Sequence, residues 1–326
     1  MRRRDFIRLI GTAAAWPLAA SAQQRTMPVV GVLSPATLDA DTNRMNAVRQ
    51  GLKDAGYIEG ENVMIEYRSA ENQLDRLPAL AGDLVSRQVN VILTIATPAA
   101  VAAKSATNTI PIVFNLGVDP VQLGLVTSFN RPGGNVTGVY GSELTIAGKR
   151  LELLHELVSS AGAMSFLANP KSESFAEIET EALRAAGRSL GVELSILNAS
   201  NSNEIDAAFT TLAKDHSVPL VVSADALFLN QRVQLVVLTA RHAIPVIYAF
   251  REVTAAGGLM SYGPNLAYLY QQAGAYAGRI LKGAKSTDLP VQQAVKWELV
   301  INRRTAKALG ITMPQSMLVA ADEVIE

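Results

Sequence analysis

The stretch VVGVLSPATLDADTNRMNAVRQGLKDAGY, Val29 to Tyr57, decides the fold. An apolar, β-branched run from Pro28 ends at Ser34. A helix from about Asp41 to Ala55 follows, with Asp41 or Thr42 read as its cap, Met45, Val48 and Leu52 as its apolar face, and Gly56 as its stop. The same alternation then repeats: a strand at Asn62 to Tyr67, a helix through Leu77, Leu80, Ala81 and Leu84, a strand at Val89 to Ala96, a helix opened by Thr97-Pro98, and a strand at Pro111 to Asn115. Strands alternating with helices give a parallel sheet covered on both faces.

A second series starts with a helix from about Ile146 to Val158 and a strand from Ala163 to Ala168. Ser174 with Glu177 reads as a capping box for the next helix. Strands at Val192 to Leu197, Pro219 to Ser223 and Ile244 to Ala249 alternate with helices at Glu204 to Ala213 and Asn230 to Arg241. Two similar doubly wound α/β halves therefore follow one another. The segment Gly117 to Gly141, with RPGGNVTG, is rich in turn formers and places the first crossing near Tyr140-Gly141. After Gly257-Gly258 come a short strand to Tyr262, a helix from about Asn265 to Lys282, and a strand and helix led by Pro290.

The first 22 residues read as an export signal rather than as core. Arg3-Arg4-Asp5-Phe6-Ile7-Arg8 fits a twin-arginine pattern, LIGTAAAWPLAA is a weakly apolar core, and Ala20-Ser21-Ala22 suits cleavage after Ala22. A general secretory signal is the alternative route. The apolar run is too short to span a bilayer. The chain has no cysteine, which excludes disulfides, thiolate metal sites, a cysteine nucleophile and a lipidated cysteine. Without the signal, 25 basic residues stand against 28 acidic ones, and a net charge of −3 argues against nucleic acid as a partner.

Three stretches carry a family resemblance: GLKDAGYIEGENVMIEYR (Gly51 to Arg68), PIVFNLGVDPVQLGLVTSFNRPGGNVTGV (Pro111 to Val139) and WELVINRRTAKALGITMPQSMLVAADEVIE (Trp297 to Glu326). Together they resemble the ABC-transporter substrate-binding family that includes tryptophan- and tyrosine-type binding proteins. Arg303-Arg304 stands where that pattern leads one to expect a leucine-lysine pair. The resemblance implies a type I periplasmic binding fold with two lobes, three crossing segments, and a small-molecule ligand closed between the lobes. It also implies a membrane permease with its ATPase as partner, a periplasmic location, and no catalysis. Residues 27–141 plus about 251–290 are expected in lobe one, and 142–250 plus about 291–326 in lobe two. A monomer without a cofactor is expected.

Competing chemistries lack their parts. Gly141 and Gly148-Lys149 are spaced wrongly for a phosphate-binding loop, and Arg150 stands where a hydroxyl residue would hold magnesium. No G-x-G-x-x-G follows the first strand, and no G-x-S-x-G nucleophile elbow is present. His155, His216 and His242 are scattered and suggest no metal site. A periplasmic enzyme on a doubly wound fold is the alternative reading, since twin-arginine export also serves proteins that fold around cofactors. A sugar-responsive repressor core is a third, but it would need a DNA-binding helix pair where the signal stands.

Open parallel sheets bind ligands beyond the carboxyl ends of their strands. The candidates in lobe one are therefore Ser34, Thr37, Thr97, Asn115 and Asp119, and in lobe two Asn169, Ser174, Asp225 and Tyr248. Thr97, as helix cap before Pro98, would turn free amides toward an anion. Asp225 would meet an ammonium group, and Tyr248 or Phe250 an apolar side chain. The expected ligand is a small carboxylate-bearing solute: an amino acid, or an aromatic or organic acid. Each candidate also has a plainer role as a cap, a turn or core.

Overall fold

The computed structural model describes residues 27–141, 146–159, 161–214, 218–293 and 297–326. The export signal and His216 lie outside the described residues, as do the side chains of Glu173 and Ser174.

Lobe one is a six-stranded sheet of β1 (Val29–Ser34), β2 (Met64–Ser69), β3 (Val91–Ile95), β4 (Ile112–Leu116), β5 (Val136–Tyr140) and β11 (Gln292–Gln293). Its order is β11-β5-β4-β3-β1-β2, and every pairing is parallel. Strands β3, β4 and β5 are buried along their whole length, β3 and β4 as largely apolar runs of a parallel sheet and β5 through its pairing with β4. Strand β5 forms inside the glycine-rich segment that the sequence reads as a connection.

Lobe two is a seven-stranded sheet of β6 (Ala163–Ala168), β7 (Glu193–Asn198), β8 (Leu220–Val222), β9 (Val246–Tyr248), β10 (Met260–Pro264), β12 (Trp297–Asn302) and β13 (Glu323–Ile325). The order is β13-β12-β10-β9-β8-β6-β7, with only the β10–β12 pairing antiparallel. Strand β10 pairs here, so the chain returns to lobe one at Pro264-Asn265 rather than near 251, and α9 (Arg251–Ala255) stays in lobe two. The chain also lies in lobe one up to Gly141 and in lobe two from Ile146, and again in lobe one at Gln293 and in lobe two from Trp297. Asn265 ties two crossings together, with its amide donating to Glu298 Oε2 at 2.8 Å.

Several helix ends differ from their sequence reading. Helix α1 (Leu38–Asp54) starts three residues early because Thr37 caps it, accepting from Ala40 N, and Asp41 is buried in its first turns. Helix α5 (Glu173–Leu190) has Ser172 at its cap position, so Ser174 falls inside the helix rather than at its cap. The helix expected from Asn230 to Arg241 forms as α8 (Arg232–Arg241), and a short α7 (Ala226–Asn230) precedes it.

Helix α1 packs against α10 (Leu266–Leu281) at backbone distance. A Cβ on Gly51 would collide with the Gln271 carbonyl oxygen, and one on Gly274 with that of Val48. Glycine at these positions fixes how near Arg44 comes to Tyr270, which bears on the cleft.

Candidate functional site

The strand ends of the two sheets face one another across a cleft of about 1310 Å³. Four of the nine strand-end candidates lie on its wall: Thr97 and Asn115 from lobe one, Asn169 and Asp225 from lobe two. Thr97 does not cap its helix. Helix α3 (Ala96–Ala106) begins one residue earlier, with Ile95 at the cap position and Ala96 at φ 65°, so Thr97 and Pro98 fall within its first turn. Left-handed backbone at alanine is strained and is held here by the packed strand–helix junction.

Asn115, beside Ile95 in the register of β3 and β4, is 5% exposed, and its amide nitrogen has no hydrogen-bond partner. The residue lines the cleft, while this nitrogen is itself sealed, so it reaches an occupant only if the side chain turns.

Apart from Ser174, whose side chain lies outside the described residues, the other candidates have structural duties. Ser34 is fully buried behind the wall, where it donates to Asp41. Asp119 holds its own turn, accepting from Val121 N at 2.7 Å. Tyr248 is 1% exposed and lies in the core, its hydroxyl 3.3 Å from Thr239 Oγ1, with burial pushing the phenol well above its usual range. The apolar wall expected of it comes instead from Phe250, Phe175 and Tyr270.

In lobe two, Asp225 caps α7 and lines the cleft at once. It accepts from Leu227 N at 2.8 Å, Asn169 Nδ2 at 3.1 Å and Ser172 Oγ at 2.5 Å. Three donors occupy most of a carboxylate's four lone-pair sites, leaving room for one more. No cation among the described residues forms an ion pair with it.

Lobe one contributes a cleft residue that the sequence reading did not single out. Arg44 on α1 lines the cleft, its side chain 11% exposed, and is ion-paired through Nη1 to Asp41, which is wholly buried. Asp41 also accepts from Ser34 Oγ and from Tyr67 OH, the latter at 2.5 Å. Burial, then the Asp41 charge, pushes the Tyr67 phenol well above its usual range and keeps it a donor. Burial works against the Arg44 charge, but Tyr270 and Asp41 more than restore it. The guanidinium carbon stands 6.0 Å from the Tyr270 ring centroid. The sequence signal for this pair was phase: Asp41 lies four residues before Met45 on the buried stripe, where a charge needs a partner.

The lobes touch at the rim, where Asn230 Nδ2 donates to Asn72 Oδ1 at 3.3 Å. Among the described residues no cluster of histidine and acidic side chains fits a metal ion, and no helix is long and apolar enough to cross a membrane.

A family model described as ABC transporter substrate binding protein matches residues 5–325. A tyrosine-binding protein of Clostridioides difficile (strain R20291) is 32% identical over 262 residues, covering 80% of this chain and 75% of that one. A solved ABC domain in complex with L-Trp from Streptococcus pneumonia is 26% identical with a TM-score of 0.82, covering 92% of this chain and all of that one. The ligand-free, open structure of a substrate-binding protein from Clostridium difficile is also 26% identical, covering 91% of this chain and 99% of that one, with a TM-score of 0.66.

Proposed function

Because the chain belongs to the ABC transporter substrate-binding protein family, we propose that it is the exported solute-binding component of an importer, closing its two lobes on a small amino acid with an aromatic side chain. It has the type I periplasmic binding fold and is a binding protein, not an enzyme.

The observation that carries the ligand reading is the opposed chemistry across the cleft. Lobe one offers the polar side chains of Thr97 and Asn115, and lobe two offers Asp225, which pairs with no cation among the described residues. An α-amino acid has a carboxylate for the first wall and an ammonium for the second. Phe175, Phe250 and Tyr270 supply aromatic surface for a ring. A ligand held by both lobes binds the closed form better than the open one, which is what drives closure. The likeness to the L-Trp complex over the open structure, at equal identity, and the Asn72–Asn230 contact support a closed arrangement here.

In this reading the segment 1–22 is removed after Ala22, the mature chain starts at Gln23 in the periplasm as a monomer, and a permease with its ATPase receives the solute. Mass spectrometry of the exported protein checks the terminus, and an uncleaved cytoplasmic chain would refute it. Calorimetry with a panel of amino acids, aromatic acids and neutral sugars checks the ligand. Binding of L-tyrosine or L-tryptophan, with contraction in small-angle scattering, is expected. Tight sugar binding with no response to amino acids overturns the ligand class.

A further inference from the structure

Thr97 and the Asn115 amide are neutral donors, and a neutral donor serves a carboxamide nearly as well as a carboxylate. Discrimination between an acid and its uncharged analogue needs a fixed positive charge at the wall. Three features put that charge at Arg44. Its Nη1 is committed to Asp41, while Nε and Nη2 carry no partner among the described residues and are not sealed from the cleft that the side chain lines. A planar guanidinium with two such nitrogens suits bidentate capture of a carboxylate.

The charge is also held in place. Asp41, wholly buried, is anchored from β1 by Ser34 and from β2 by Tyr67, so the pair is fixed to two strands rather than left to a flexible stem. Those two hydroxyl bonds draw off part of the Asp41 charge that would otherwise neutralise the arginine. On the far side of the cleft, Asp225 of lobe two lines the wall, so an amino acid whose carboxylate meets Arg44 has a carboxylate there for its ammonium end.

We propose that Arg44 is the residue that makes this cleft select an acid over its neutral analogue, with Asp41 and Tyr67 as its positioning residues. The proposal rests on the solute-capture reading above. It is tested with matched pairs, L-tyrosine against L-tyrosinamide and L-tryptophan against L-tryptophanamide, titrated calorimetrically into the wild type and into Arg44→Gln, Arg44→Lys and Tyr67→Phe. The wild type is expected to prefer each acid by about 10- to 100-fold, the range of a charge-assisted bond. Arg44→Gln should bring the ratio close to one while amide affinity stays within a few-fold. Arg44→Lys should restore part of the preference, and Tyr67→Phe should lower it several-fold with the charge still present.

A wild-type ratio near one overturns the proposal without any variant, so a variant that fails to fold does not shelter it. An undiminished ratio in folded Arg44→Gln overturns it while leaving solute capture standing. No binding of any acid or amide by the wild type overturns both.

Discussion

Each lobe builds a buried carboxylate–arginine pair behind its strand ends, and the two pairs end differently. In lobe one Asp41 accepts from the hydroxyl of Ser34, the last residue of β1, and pairs with Arg44 on the cleft wall. In lobe two Glu179 accepts from Ser223 Oγ at 2.5 Å and Ala224 N at 3.3 Å, just beyond β8, and pairs with Arg150 at 2.5 Å. Arg150 is fully buried, and its Nε and Nη1 find no partner. Burial pushes the Glu179 carboxyl up, against the pull of Arg150 and Ser223. The same device is scaffold where both charges are sealed and a ligand reader where one guanidinium edge stays open. What separates them is desolvation of the arginine, not the identity of the pair.

The sharpest way to break that comparison is to remove one charge from the sealed pair. Glu179→Gln keeps one acceptor oxygen, for Ala224 N, puts an NH2 where Ser223 Oγ donates, and leaves a buried guanidinium without a counter-charge, at an expected cost of about 3 to 5 kcal/mol in chemical denaturation. Adding Arg150→Met should recover most of that loss. A double variant no more stable than the single one would show that the pair is not the cause. Ligand affinity of the folded fraction should change little in either, in contrast to Arg44 substitutions, which should act mainly on binding.

The backbone contacts behind the two arginines differ as well. Gly51 meets α10 at its backbone, so Gly51→Ala must push the helices apart, with about 1 to 3 kcal/mol of overpacking and weaker ligand binding as Arg44 shifts from Tyr270. In lobe two Gly148 on α4 (Ala147–Leu157) has its nearest neighbour, Ala186 Cβ, at 3.4 Å from a built Cβ, an ordinary contact. Gly148→Ala should be tolerated and can gain helix propensity of about 0.5 to 1 kcal/mol. Equal melting shifts for the two variants would remove the claim that α1–α10 packing sets the site.

The smallest effect is expected at the rim where the lobes meet. Asn230→Ala deletes the donor to Asn72 and should cost closure about 0.5 to 1 kcal/mol, read as a two- to five-fold faster ligand release in stopped flow. An unchanged release rate would mean that the contact does not contribute to holding the lobes together.

The residues themselves determined the α/β alternation, because apolar β-branched runs such as Val91–Ile95 and amphipathic stretches such as Met45-Val48-Leu52 have periods that only one kind of element satisfies. Turn chemistry was less legible. Strand β5 hid within a glycine- and asparagine-rich segment because its burial comes from β4 and not from its own composition. The return to lobe one lies later than its expected place near 251 because β10 belongs to the lobe-two sheet through its pairing with β9 and with β12, the latter more distant in the chain.

The candidate site divided along the same line. Strand-end position marked Thr97, Asn115, Asn169 and Asp225, since the carboxyl edge of a parallel sheet follows from strand order alone. It could not tell that Tyr248 turns into the core, or that Asp41 is no cap but a buried counter-charge, because sealing or exposing a side chain is decided by what packs over it. The sequence supplied the charges of Arg44 and Arg150 alike; only the tertiary structure, by closing over one and leaving the edge of the other open to the cleft, decided which of them a ligand can meet.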